Sequence, residues 1–323
     1  MPLSLFSLDP ALGARVAGSL GISLSRHEER DFEDGEHKLR PLESVRGHDA
    51  YVLGSLNGDG ARSVNDHLVR MLFFVGGLKD AAAARVTAVI PYLCYSRKDR
   101  RTKSRDPLST RYVAQVFEAV GLNRVVTLDV HNPAAYQNAF RIQAEHLEAR
   151  KLFADHFAHG LGDELVAVVS PDVGGVKRAE AFREALELRL CRPVGRGFME
   201  KYRSAGVVSG ERLVGEVADR VVILVDDLIS SGGTLRRAAT ACREAGARAV
   251  HAAATHGLFS EGADDNLADV SLDQVVITDS VSGARERLQA AGDKLRVVDV
   301  APFLAEAIRR MHEDGSLAAL MEP

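Results

Sequence analysis

Residues 221–237 read VVILVDDLISSGGTLRR. Five aliphatic residues without polar alternation mark a strand over 221–225, buried on both faces of a parallel sheet. That strand ends in Asp226 and Asp227. A short loop, Ser230-Ser231-Gly232-Gly233-Thr234, then opens a helical pattern over 235–245 that stops at Gly246, a residue suited to the position just past a helix end. Glycines let backbone N–H groups converge on an anion, and a helix N-terminus adds favourable partial charge. The Ser and Thr hydroxyls add donors. Two adjacent carboxylates would repel a phosphate, but they accept hydrogen bonds from a polyol. The expected ligand therefore has a phosphate at one end and a sugar in the middle. Read alone, the same residues also fit a strand–turn–helix junction capped by Asp and Ser.

Working outward, the strand–loop–helix pattern recurs. Aliphatic runs at 86–90, 124–128, 165–169 and 249–254 alternate with helical patterns at 110–120 and 176–188, the first of these followed by Gly121. This alternation predicts an α/β fold with functional groups on loops at the carboxyl ends of strands. Three stretches, LKDAAAARVTAVIPY, FEAVGLNRVVTLDVH and CREAGARAVHAAATH, repeat one order: helix end, basic residue, buried strand, polar loop. Two similar domains joined near residue 150 explain the echo; repeated units inside one larger sheet would give it too. We expect domains over 1–150 and 151–300, with the amphipathic tail, 301–323, docked on the first.

The 323 residues are 46% hydrophobic and 27% charged, with a formal net charge of −4. That is the balance of a globular protein with real cores, and no arm is basic enough to point to nucleic acid. The three cysteines, Cys94, Cys191 and Cys242, form no CxxC pair, which argues against a secreted disulfide scaffold. The start, MPLSLFSLDPALGARV, does not read as a signal peptide, and no apolar run suits a bilayer. A cytoplasmic enzyme without membrane partners is expected. GxxxxGK followed by Ser or Thr does not occur, which excludes a P-loop kinase, and the absence of GxGxxG argues against a Rossmann dinucleotide site.

Five more stretches carry candidate chemistry. Ser170-Pro171-Asp172-Val173-Gly174-Gly175, followed by Lys177 and Arg178, again joins a buried strand to a helix. Its glycines could receive a diphosphate while Asp172 offers an oxygen to Mg²⁺; a capped turn is the plainer alternative. Asp129-Val130-His131 ends another strand, where a lone histidine equally fits a structural role. Residues 97–105, RKDRRTKSR, carry six cations and one acid, on composition alone a solvated loop. Glu200-Lys201-Tyr202-Arg203 places Lys201 and Arg203 on one face of an extended segment, able to clamp a phosphoryl group. Asp31-Phe32-Glu33-Asp34-Gly35-Glu36 reads as a hairpin turn.

The segment 221–237 resembles the ribose-phosphate loop of type I phosphoribosyltransferases and of phosphoribosyl pyrophosphate synthetases. The stretches 91–121, DVHNPAAYQNAF, SPDVGGVKRA, THGLFSEGA and VAPFLAEAIRRMHE are similar, in order, to landmarks of the synthetases, so the resemblance runs from about Asp31 to the end. It implies two tandem type I phosphoribosyltransferase-like domains, each a mainly parallel sheet flanked by helices, with the active site between them. It also implies transfer of the diphosphoryl group of Mg·ATP to ribose 5-phosphate, giving phosphoribosyl pyrophosphate and AMP. Ribose 5-phosphate would be held by Asp226, Asp227, Ser230, Ser231, Gly232, Gly233 and Thr234. ATP would be held by Phe32, Asp34, Glu36, Arg97, Lys98, Asp99 and His131. Asp172, Gly174 and Gly175 would form a diphosphate loop, His131 and Asp172 would ligate Mg²⁺, and Lys201 and Arg203 would be catalytic. The resemblance further implies a homo-oligomer in which the turn at Phe32 reaches a neighbour's adenine. The sequence departs from the family where glutamine usually follows the arginine of the ATP segment; here it is Lys98. Tyr202 likewise replaces a basic residue. A non-catalytic regulatory homologue and a nucleobase phosphoribosyltransferase are the alternative readings.

Overall fold

The structure is a computed structural model describing residues 1–204, 207–288 and 291–322; the side chains of residues 201–204, 207–211 and 285 also lie outside the description. The chain forms two compact units. One comprises Met1–Leu147, Ser280–Ser282 and Val300–Glu322, the other Glu148–Asp279 and Gly283–Asp299.

The first unit contains β1 (Leu3–Ser7), α1 (Pro10–Leu20), β2 (His27–Asp31), β3 (His37–Pro41), β4 (Asp49–Leu53), α2 (Val64–Asp80), β5 (Arg85–Ile90), α3 (Ser109–Ala119), β6 (Arg124–Leu128), α4 (Pro133–Ala139) and β7 (Gln143–Leu147). Its main sheet is parallel throughout, in the order β1-β4-β5-β6-β7. The chain thus steps across the sheet in one direction. The crossovers after β4, β5 and β6 place α2, α3 and α4 on one face. The core on that face joins Phe6, Val52, Ala88, Ile90 and Val125 to Phe74 and Leu78 of α2, Phe117 of α3 and Tyr136 of α4.

Residues alternate across a strand, so Tyr51, Thr87 and Arg124 point to the opposite face. The cover for that face comes from the far end of the sequence. The tail helix, whose range is Ala301–His312, buries Phe303, Leu304, Ile308 and Met311 and packs on α1. At its end His312 Nδ1 donates to Asp49 Oδ2 at 2.9 Å. Asp49, fully buried, also accepts from Arg85 Nε at 2.7 Å, Arg85 Nη2 at 2.5 Å and Tyr51 Oη at 3.1 Å.

The second unit contains α5 (Arg150–Ala158), β8 (Val166–Ser170), α6 (Val176–Leu190), β9 (Gly195–Ser204), β10 (Val207–Gly215), β11 (Val221–Ile229), α7 (Gly233–Glu244), β12 (Ala249–Gly257), α8 (Ala263–Leu267), β13 (Gln274–Thr278), α9 (Ala284–Arg287) and β14 (Leu295–Val298). The tail helix above is α10 (Ala301–His312), and a last turn, α11 (Ala318–Met321), follows it in the first unit. The second sheet runs β10-β9-β8-β11-β12-β13-β14, parallel except for the β9–β10 pair. From β8 the chain first moves outward to β9 and β10, then returns to the other side of β8 as β11. This reversal sends α6 and α7 to opposite faces. Val222 and Leu224 pack with Leu235, Ala239 and Cys242 of α7. On the other face Phe157 of α5 meets Phe182 of α6, ring centres 6.2 Å apart, and lies 6.1 Å from the His251 ring.

Candidate active site

In an open parallel sheet the crevice lies where the strand order reverses, outside the carboxyl ends of the flanking strands. In the second unit that point falls between β8 and β11. The two pair only from Val166↔Val221 to Val169↔Leu224. Beyond Leu224, β11 stays paired with β12 at Asp226↔Ala254 and Leu228↔His256 but has left β8. Strand 221–225 of the sequence reading therefore extends to Ile229, and the acidic pair sits within it, at the parting of the two strands.

Arg178, in the first turn of α6, spans that parting. Its Nη1 is 3.2 Å from Asp226 Oδ1 and 3.3 Å from Asp227 Oδ1. Asp227 is buried and the Asp226 side chain is a quarter exposed. Burial pushes the Asp226 carboxyl well above the usual carboxylate range; the Asp227 charge pushes the same way, and Arg178 opposes both. Sequence reading noted Arg178 only as a basic residue after the glycines. Its pairing with acids 48 positions away has no local signal.

The two loops at the crevice have fixed shapes. Gly175 N–H donates to Asp172 Oδ1 at 2.9 Å, and Ser170 Oγ donates to the Asp172 carbonyl at 2.6 Å. A Cβ on Gly175 would stand 2.7 Å from Ser170 Oγ, so the turn requires glycine. Gly232 has φ 75° and a Cβ there would lie 2.8 Å from Leu267, so it too must be glycine. Asn266 Nδ2 donates to the Ser231 carbonyl at 2.8 Å, and the Ser230 and Ser260 hydroxyls are 3.0 Å apart. The loop after β11 is thus braced by the loop after β12. Lys201 and Arg203 belong to β9, but their side chains lie outside the described residues.

In the first unit, the loop after β5 carries Arg97, which is exposed. Thr110 Oγ1 donates to the carbonyls of Tyr95 at 3.0 Å and Lys98 at 3.2 Å, tying this loop to the start of α3. Lys98 Nζ donates to Asp106 Oδ2 at 2.6 Å. The same oxygen accepts from Thr102 N at 3.0 Å, Thr102 Oγ1 at 2.7 Å and Lys103 N at 2.9 Å. Lys98, then the Thr102 and Lys103 contacts, hold the Asp106 carboxyl well below the usual range. Asp99 Oδ2 accepts from Asn132 Nδ2 at 2.6 Å, and Asn132 caps α4 directly after His131. His131 is exposed and follows Asp129, whose φ is 40°. The Asn132–Asp99 hydrogen bond thus joins the loops on which Asp99 and His131 stand.

The hairpin β2–β3 lies on α2. Glu29 and Asp31 share one face of β2, and both ion-pair with Arg70 of α2; Arg62 reaches them at 3.2 and 3.3 Å. His37 stacks on Phe73, ring centres 5.5 Å apart. The tip, by contrast, is exposed at Phe32, Asp34 and Glu36. It is a tight turn, with Phe32 N–H donating to the Glu36 carbonyl and Glu36 N–H to Asp34 Oδ1. The Arg30 guanidinium lies 5.0 Å from the centre of the Phe32 ring.

Among the described residues, no three His, Cys, Asp or Glu side chains gather in a way that would hold a metal unaided. Mg²⁺ needs no such cage: one or two carboxylates suffice when phosphates supply the rest. The exposed Asp172 and the Asp226–Asp227 pair fit a cation that arrives with a phosphorylated ligand. No helix of the described residues is long and apolar enough to cross a membrane.

A glycine loop beside an acidic pair, at the strand-order reversal of a mainly parallel sheet flanked by helices, defines an α/β protein of the phosphoribosyltransferase-like class. Residues 3–121 match the family described as the N-terminal domain of ribose phosphate pyrophosphokinase, and residues 207–322 match the phosphoribosyl synthetase-associated domain. Ribose-phosphate pyrophosphokinase 1 of Streptococcus pyogenes serotype M1 is 38% identical over 323 residues, spanning 99% of this chain and 98% of the relative. Ribose-phosphate pyrophosphokinase of Caldanaerobacter subterraneus subsp. tengcongensis is 40% identical over 314 residues, spanning 97% and 95%. The crystal structure of phosphoribosylpyrophosphate synthetase from Mycobacterium smegmatis superposes with a TM-score of 0.87 at 35% identity, covering 98% of this chain and all of that one. The chain belongs to the ribose-phosphate pyrophosphokinase family.

Proposed function

We propose that this chain transfers the diphosphoryl group of ATP to the anomeric hydroxyl of ribose 5-phosphate, forming phosphoribosyl pyrophosphate and AMP. Its full-length likeness to ribose-phosphate pyrophosphokinases supports the activity. The observation that carries the sugar side is the juxtaposition of Asp226, Asp227 and the loop Ser230-Ser231-Gly232-Gly233-Thr234 at the parting of β8 and β11. Ribose hydroxyls donate to the carboxylates, and the 5-phosphate meets the loop and the N-terminus of α7. In the first unit Arg97, Lys98, Asp99 and His131 hold ATP, Arg97 on its phosphates, while Phe32 stacks on adenine and Asp34 and Glu36 accept from its amine. Asp172, Gly174 and Gly175 take the diphosphate, and His131 and Asp172 would hold Mg²⁺. That ion, when bound, neutralises phosphate charge.

The anomeric oxygen attacks the β-phosphorus, the bond to the bridging oxygen breaks, and the electron pair leaves with AMP. The hydroxyl proton passes to solvent. Lys201 and Arg203 stabilise the charge that develops around the phosphoryl group in flight; positioning supplies much of the rest. The free thiols of Cys94, Cys191 and Cys242 support a reducing, cytoplasmic setting. Cys94 and Cys242 are buried, which pushes both thiols up to about 12.

The exposed tip at Phe32 supports a homo-oligomer in which each hairpin serves a neighbour's nucleotide. The test is an assay for AMP and phosphoribosyl pyrophosphate from the two substrates, followed by complementation. Phe32→Ala and Asp227→Asn chains should each be inactive and regain activity on mixing, because one composite site is then intact. Absence of both products from the wild-type chain refutes the reaction. No rescue in proven mixed oligomers refutes only the shared site.

A further inference from the structure

The space above Gly233 is ringed by donors. A Cβ placed on Gly233 would stand 3.6 Å from Arg237 Nη1, 3.8 Å from Asn266 Nδ2 and 3.8 Å from Ser231 Oγ, its nearest atoms outside Gly232, Thr234 and the backbone of α7. They come from three separate places: the second turn of α7, the helix α8 and the loop itself. All three can donate hydrogen bonds. We infer that Arg237 is a phosphate-binding residue that takes the 5-phosphate of the sugar in this space, and so selects a phosphorylated sugar. The inference rests on the ribose 5-phosphate reading of the loop and adds a residue that the loop pattern does not contain.

The helix explains how Arg237 gets there. Side chains on an α-helix lean toward its N-terminus, over the preceding turn. Arg237 follows that direction back past Thr234, its neighbour three positions earlier, with Nη2 3.4 Å from Thr234 Oγ1. The guanidinium therefore lies at the amino end of α7 although its Cα is in the second turn.

Electrostatics argue the same way. The amino end of a helix carries partial positive charge, which favours anions and disfavours cations. A phosphate between Arg237 and the helix end would meet attraction from both, and the planar guanidinium can offer two parallel N–H groups to its oxygens. The cradle is also stiff. Asn266 is held by its bond to the Ser231 carbonyl, and Gly232 is locked against Leu267.

Three variants of the full chain test this in steady-state kinetics and calorimetric titration with ribose 5-phosphate. Arg237→Ala should raise KM and Kd for ribose 5-phosphate about tenfold, as loss of one exposed charge-assisted contact implies. It should leave kcat and KM for ATP within about twofold. Arg237→Lys should recover part of the affinity, since it restores the charge without the fork; a purely structural role would not be rescued this way. Gly233→Val, which fills the space itself, is the control for the loop. If it abolishes sugar binding while Arg237→Ala changes nothing, the loop stands and Arg237 is a surface residue. If neither variant alters sugar binding, the ribose 5-phosphate reading of the loop falls, and the inference with it. A rise in KM for ATP alone after Arg237→Ala also overturns the inference.

Discussion

The two sheets of this chain are built from the same strand–loop–helix unit but connected differently. The first steps in one direction, β1-β4-β5-β6-β7. Helices α2, α3 and α4 therefore collect on one face, and α10, from the far end of the sequence, packs with α1 over the opposite face. The second reverses at β8, which places helices on both faces and opens a parting between β8 and β11. The contrast separates two needs. A sheet without a reversal solves a covering problem with a distant helix and a buried ion pair. A sheet with a reversal gains a crevice, and the acidic pair and the glycine loop stand there.

The largest expected effect breaks the first half of that contrast. Asp49 receives hydrogen bonds from Arg85, Tyr51 and His312 in a fully buried setting. In Asp49→Asn one carboxylate oxygen becomes an amide that donates toward groups that also donate. Breaking a buried pair from one side typically costs about 3–5 kcal/mol. Thermal unfolding should show that loss, with α10 exchanging its amides fastest; unchanged stability would mean that the latch is ornamental. The pH dependence has a definite sign. Burial alone would raise the Asp49 carboxyl, but the bonds from Arg85 and His312 outweigh it and hold it below its ordinary value. A carboxylate depressed in the folded state contributes stability that is fully present above its unfolded pKa, about 4. That contribution is lost as pH falls through the lower, folded value. Wild type should therefore lose more stability than the Asn variant on acidification below about pH 4.

A second experiment sharpens the other half. The antiparallel strand β10 extends only the second sheet, and its partner β9 carries Lys201. In Lys201→Ala, kcat should fall about 10²–10³-fold with little change in either KM, the pattern for a charge that matters mainly in the transition state. Wild-type turnover would remove Lys201 from the chemistry. A rise in KM alone would make it a ground-state contact.

What could be read in the sequence follows from range. The apolar runs that became β5, β6, β8, β11 and β12 are local patterns, and so are the glycines at 232, 233 and 246 and the amphipathic tail helix. The length of β11 was not legible. Two aspartates end its apolar run, and only the continued pairing with β12 carries the strand through them to Ile229. Edge strand β7, QAEHL, lacks an aliphatic run because less of it is buried. The ion pairs were hidden for the same reason. Nothing near Arg178 announces Asp226 and Asp227, and nothing near Asp49 announces His312. Arg237 was hidden differently: it lies within the quoted loop-helix stretch but points backward along the helix, which spacing alone does not reveal.

Lys98 offers the smallest effect and the finest discrimination. Its difference from the usual glutamine suggests a contact with the nucleotide, yet its ammonium is engaged within its own loop, on Asp106. The two side chains are 34% and 22% exposed, so the pair belongs to the class worth about 1 kcal/mol or less. Its consequence is conformational: it closes residues 98–106 into a ring that sets where Arg97 and Asp99 stand. Lys98→Gln should therefore raise KM for ATP by about two- to fivefold, consistent with that energy, and leave KM for ribose 5-phosphate unchanged. Asp106→Asn decides the cause. If the ion pair positions the loop, both variants shift the ATP parameter alike and the double variant adds nothing further. If Lys98→Gln acts while Asp106→Asn does not, the lysine meets the nucleotide directly during the reaction. A change confined to the sugar parameter would place this loop on the other substrate and undo the assignment of Arg97, Lys98 and Asp99 to ATP.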